Sequence, residues 1–126
     1  MKNTKFYICE KCGNIVHKIE DSGVSLVCCG QKMTYIEPGV VEASREKHIP
    51  IVKYEDNAVN VIVGSVLHPM ADEHHIAWVY LETDKGGQIK YLEHNASPEI
   101  TFSLNNEKPV AVYAYCNLHG LWKSDI

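Results

Sequence analysis

What this chain lacks narrows its identity first. It has no run of about 18 apolar residues, so no segment reads as a membrane-spanning helix. Its opening residues, Met1 to Phe6, include lysines but lead into no apolar stretch of the secretory kind, so the expectation is a cytoplasmic protein. Blocks of lysine and arginine are missing too. Twelve basic residues stand against 16 acidic ones, a formal net charge of −4, which makes nucleic acid a poor partner. No segment sustains a helical period. Against these absences stands one excess, seven histidines and five cysteines in 126 residues.

Four of the five cysteines fall early, at Cys9, Cys12, Cys28 and Cys29. An odd total would leave one thiol over in a purely disulfide framework, and a chain without an export signal favours metal over bridges. Residues 1–37 hold too few large apolar side chains for a self-sufficient core, and units this small usually need a metal, disulfides or a partner subunit. The spacing predicts a strand running through Tyr7 and Ile8 into a knuckle at Cys9 to Asn14. A hairpin from Ile15 to Val27, turning near Asp21-Ser22-Gly23, then leads to a second half-site at Cys28 and Cys29. Adjacent strand residues point to opposite faces, so both sulfurs reach one ion only if the backbone bends sharply, and Gly30 eases such a bend. The expected tetrathiolate suits iron or zinc.

Pro38-Gly39 punctuates a linker, which places a domain boundary there and gives domains 1–37 and 38–126. Beyond it the apolar pattern is that of strands. They fall at Pro50 to Tyr54, Val59 to Gly64, Ile76 to Glu82, Gln88 to Glu93, Glu99 to Leu104, Val110 to Cys116 and Leu121 to Lys123, with turn residues between. Seven short strands in this span predict an immunoglobulin-like antiparallel β-sandwich, making the whole chain mainly β.

Within that second domain, histidines recur in loops beside strand ends: His48 before Pro50, His68 before Pro69, the His74-His75 pair, and His119 three residues after Cys116. Each alone is usually an ordinary surface or hydrogen-bonded histidine. Together they suggest four imidazoles and one thiolate converging at one end of the sandwich. Of the neighbours His74 and His75, only one can face a common ion in β conformation. The choice falls on His74, with His75 opening the strand. His17 and His94 read as solvated surface residues.

The order Cys9-x-x-Cys12, Cys28-Cys29-Gly30, Glu46-Lys47-His48-Ile49-Pro50, His68-Pro69-Met70, His74 and Cys116-Asn117-Leu118-His119-Gly120-Leu121-Trp122 resembles the desulfoferrodoxin family of two-iron superoxide reductases. The resemblance covers essentially the whole chain and implies two iron ions. One would be held by Cys9, Cys12, Cys28 and Cys29 in a desulforedoxin-like domain. The other would be held by His48, His68, His74 and His119 in a plane with Cys116 as axial ligand. Superoxide would be reduced by one electron to hydrogen peroxide at the open sixth position, without release of dioxygen. Glu46 would close that position after oxidation, and Lys47 would attract the anionic substrate. A rubredoxin-type electron donor and a homodimer are further implications, while the sequence leaves an additional calcium ion in the acidic loops open. The competing readings are an electron carrier with one iron and a zinc-ribbon adaptor with none.

Overall fold

The structure, a computed structural model, describes residues 4–126. It divides into two compact units, Met1–Glu37 and Pro38–Ile126. Among the described residues there are twelve strands and one helix.

The first unit is held by very short strands. β1 (Phe6–Ile8) lies between β2 (Ile15–His17) and β5 (Thr34–Tyr35), both antiparallel to it. β3 (Val27–Cys28) pairs separately with β4 (Gln31–Lys32). The expected hairpin from Ile15 to Val27 is therefore absent, because each of its arms finds another partner. The turn at its tip does form. The Asp21 carboxylate accepts from the Gly23 N–H at 2.8 Å and from Lys18 Nζ at 3.1 Å, and Lys18 also reaches the Val24 carbonyl. A side chain crossing the bend closes this loop where a backbone ladder was expected.

The second unit is the seven-stranded sandwich. β6 (Pro50–Glu55), β7 (Ala58–Val63) and β10 (Glu99–Ser103) form one sheet in the order β10-β7-β6. β8 (Ile76–Thr83), β9 (Gly86–Tyr91), β11 (Pro109–Cys116) and β12 (Gly120–Asp125) form the other, in the order β12-β11-β8-β9. A three-stranded sheet facing a four-stranded one, with these crossovers, is the immunoglobulin-like arrangement. Alternation explains the register. In β7, Val59, Val61 and Val63 turn inward and are fully buried. In β11, Val112, Ala114 and Cys116 do the same, meeting Ile76, Val79, Leu81 and Phe102 in one core.

Two local features carry the core to its functional end. The β8–β11 register slips between Tyr115↔Trp78 and Cys116↔Ile76, a bulge of the kind that re-aims side chains near sites. Before β6, residues Arg45–His48 form a single helical turn, α1. One turn is too short to leave a periodic signal, and Ile49 before Pro50 is biased to extended backbone, which ends it. α1 is clamped from below: the Glu46 carbonyl accepts from the Val66 N–H at 3.0 Å and the Ser65 hydroxyl at 3.2 Å. Gly64 lies against it so closely that a Cβ there would come within 2.5 Å of the Glu46 oxygen.

Candidate metal centres

In the first unit, a tight turn brings Cys9 and Cys12 together. The Gly13 N–H donates to the Cys9 carbonyl at 2.8 Å and the Cys9 N–H to Asn14 O at 2.9 Å, with Gly13 at a φ of 84°. Facing it, the bend required of the adjacent pair is present. Cys29 has a φ of 52° and Gly30 of 76°, the left-handed pair that a two-residue hairpin turn favours. Cys12 Sγ lies 3.6 Å from Cys28 Sγ, and Cys28 Sγ 4.0 Å from Cys29 Sγ. A tetrahedron with metal–sulfur bonds near 2.3 Å has edges of about 3.8 Å, so the spacing suits a four-coordinate ion. All five cysteines of the chain are free thiols.

The electrostatics of this cluster point the same way. Backbone N–H groups of Cys12 and Lys11 directed at its sulfur bring Cys9 down to about 6. The neighbouring thiols of Cys12 and Cys9 push Cys29 up to about 12, and Cys12 likewise raises Cys28. Four sulfurs this close cannot all ionise unless a cation lies among them. A bound metal removes that conflict and releases protons as it does so.

The second cluster is built from three segments: α1 with His48, the long loop joining β7 to β8 with His68 and His74, and the β11–β12 hairpin. Ligating atoms of His48, His68, His74 and Cys116 all lie within 4.8 Å of one another. His119 joins them through Nδ1, 3.1 Å from His48 Nε2 and 3.9 Å from Cys116 Sγ. The rings stand in the cyclic order 48, 68, 74, 119, with neighbouring centroids 4.6, 4.7, 5.1 and 5.0 Å apart and the 48–74 diagonal 6.3 Å. Neighbouring rings are nearly perpendicular, at 77 to 86°. Four imidazoles thus surround a near-square opening.

The tautomers decide what fits there. His48 Nδ1 lies 2.6 Å from the Ser44 carbonyl and His68 Nδ1 2.7 Å from the Pro69 carbonyl. A carbonyl only accepts, so both Nδ1 atoms donate, which leaves each Nε2 with a bare lone pair. Those two Nε2 atoms nevertheless face each other at 3.1 Å. Lone pairs aimed together at that distance repel unless a cation lies between them. His74 Nε2 is buried with no hydrogen-bond partner, a further donor awaiting an acceptor of its electron pair. Burial disfavours the charged form of three of these rings: it lowers His48 and His74 and holds His68 down to about 4. The donor set fits a divalent transition metal with imidazole and thiolate preference.

Cys116 completes the cluster from within the core, where it is fully buried. Burial raises its thiol, while backbone N–H groups of Leu118 and His119 directed at the sulfur act in the opposite sense. Behind the rings, Trp122 packs on His48 at 5.0 Å, and its indole N–H donates to the His119 carbonyl at 3.0 Å.

The remaining histidines stand apart. His75 does not open β8. Its N–H is taken by the Asn117 side chain at 2.8 Å, its ring Nδ1 donates to the Ala71 carbonyl at 3.0 Å, and the strand starts at Ile76. His94 is exposed but not free, since its ring lies tilted against that of His75, 4.0 Å between centroids, and its Nδ1 is 3.2 Å from the Asp72 carboxylate. His17 is half-buried with its ring 5.3 Å from that of Phe6, a correction to its reading as a solvated residue. Glu46 and Lys47 are exposed on α1, immediately before His48.

Comparison with known proteins agrees with this construction. The family model described as desulfoferrodoxin matches residues 40–125, and that described as the desulfoferrodoxin N-terminal domain matches residues 2–36. The chain belongs to the desulfoferrodoxin family. It is 40% identical over 121 residues to a desulfoferrodoxin of Nitratidesulfovibrio vulgaris, covering 96% of this chain and 95% of that one. A desulfoferrodoxin homolog of Archaeoglobus fulgidus is 41% identical over 118 residues, 94% of either chain. Among solved structures, the superoxide reductase from Treponema pallidum superposes with a TM-score of 0.83 at 38% identity, covering 98% of this chain and all of that one.

Proposed function

We propose that this desulfoferrodoxin works as a two-iron superoxide reductase, its small domain spanning residues 1–37 and its catalytic sandwich residues 38–126. Cys9, Cys12, Cys28 and Cys29 hold one iron; His48, His68, His74, His119 and Cys116 hold the other. The observation that carries the reading is the pair of unprotonated Nε2 atoms of His48 and His68 held 3.1 Å apart within the ring of four imidazoles. Iron held by these five residues would supply the single electron that, with two protons, turns superoxide into hydrogen peroxide.

The chain's own groups set the conditions for that transfer. The carbonyls of Ser44 and Pro69 orient two rings and fix their tautomers, the kind of outer support that tunes metal ligands. The N–H groups of Leu118 and His119 temper the charge on the Cys116 sulfur. Glu46 and Lys47 stand on the exposed side of α1, two residues and one residue before His48. There Lys47 would draw the anion in, and Glu46 would shield the bound iron between turnovers.

The reading extends to the cell. A rubredoxin-type protein returns the electron spent in each cycle, the chain functions as a homodimer in the cytoplasm, and its task is protection from oxidative stress. Among the described residues no helix is long and apolar enough to cross a membrane.

Metal content with optical spectra in both oxidation states tests the core of this proposal. The expected result is two irons per chain and, on oxidation, a thiolate-to-iron band that disappears in Cys116→Ser. One iron points to a carrier, and colourless zinc protein to an adaptor. Dioxygen released under a superoxide flux would indicate dismutation instead.

A further inference from the structure

His74 is supported differently from the other rings. His48 and His68 are each oriented by a carbonyl bonded to Nδ1, and the turn bearing His119 is tied by the Trp122 indole. The His74 ring makes no hydrogen bond among the described residues, its Nε2 being buried without a partner. Its position must come from its backbone.

That backbone is gripped on both sides by one residue. Asn117 Oδ1 accepts from the His75 N–H at 2.8 Å, and Asn117 Nδ2 donates to the Glu73 carbonyl at 3.1 Å. Its main-chain N–H also donates to the His75 carbonyl at 3.2 Å. The residues just before and just after His74 are thus bonded to a single carboxamide. Asn117 lies between Cys116 and His119, so the grip ties the His74 loop to the turn that carries two other donors. The loop is also closed on itself, with Ala71 and His74 exchanging N–H to carbonyl bonds at 3.0 and 3.2 Å.

We infer that Asn117 is the positioning residue for His74, holding an otherwise unsupported imidazole in the ligand square through the two peptide groups that flank it. The inference rests on the metal-site reading above. Only an amide supplies donor and acceptor together at this place. Aspartate keeps the acceptor and loses the donor, and alanine loses both.

The test is a double-mutant cycle on the full-length protein. Ferrous iron affinity of the second site is measured anaerobically by chelator competition, with the absorption of the four-cysteine centre as internal reference. Asn117→Ala should weaken that site on the order of tenfold, at the lower end for residues that orient ligands because Asn117 is exposed. Asn117→Asp should fall between it and wild type. Added to His74→Ala, neither change should weaken binding further, because a residue acting through His74 has nothing left to position. Wild-type affinity in both Asn117 variants, or their full penalty persisting on top of His74→Ala, overturns the inference. Should Asn117→Ala fail to fold, Asn117→Asp completes the same cycle. A wild-type protein that takes up only one iron refutes the functional reading instead, so the two failures are distinct.

Discussion

Superoxide is an anion, and the protein it must enter carries a formal charge of −4. At the scale of single residues, that mismatch is what the role proposed for Lys47 answers. It is exposed beside His48, so it shapes the local field where the global field is unfavourable. Replacing it by alanine should slow superoxide association on the order of tenfold at low salt and flatten the salt dependence, as read by pulse radiolysis. An unchanged rate and slope would remove Lys47 from the mechanism. The donors themselves were legible in the sequence because all five cysteines belong to them and four of the seven histidines recur in loops beside strand ends. Which nitrogen each histidine presents was not. That depends on carbonyls of Ser44 and Pro69 brought into place by the fold, and on His119 approaching through Nδ1 rather than Nε2. Asn117 escaped notice for the same reason: its partners lie more than 40 positions away.

At the scale of elements, α1 matters more than its four residues suggest. It carries Glu46, Lys47 and His48, and it rests on Gly64 with no space between. Gly64→Ala should therefore push α1 outward. Overpacking of this kind costs about 1–3 kcal/mol, so the sandwich should melt at lower temperature by calorimetry. The variant should also lose much of the steering that depends on Lys47. If melting and salt dependence both match wild type, α1 is not seated by this contact. The seven sandwich strands were readable from apolar alternation, with ends displaced by one or two residues. α1 and the first unit's pairing were not, since a single turn has no period and strands of two or three residues have no pattern. The Ile15–Val27 hairpin illustrates the limit. Its tip chemistry was visible in Asp21-Ser22-Gly23, but its arms pair with β1 and β4, and local sequence does not encode that choice.

At the scale of the whole molecule, the two donor sets belong to separate compact units. Cys12→Ser should reduce iron from two ions per chain to one while superoxide reduction persists. Iron assay and stopped-flow turnover on the same sample would check this, and complete loss of turnover would show that catalysis needs the four-cysteine centre. The thiol cluster draws all its donors from residues 9 to 29, whereas the imidazole pocket needs residues 48 to 119. Domains tend to fold in order as a chain emerges from the ribosome. The early cluster can therefore capture its ion while translation continues. The later pocket has no shape to offer iron until β11 and its hairpin have been synthesised and docked. Scarcity of iron during synthesis would then leave half-filled chains of one consistent type, loaded near the front and empty behind.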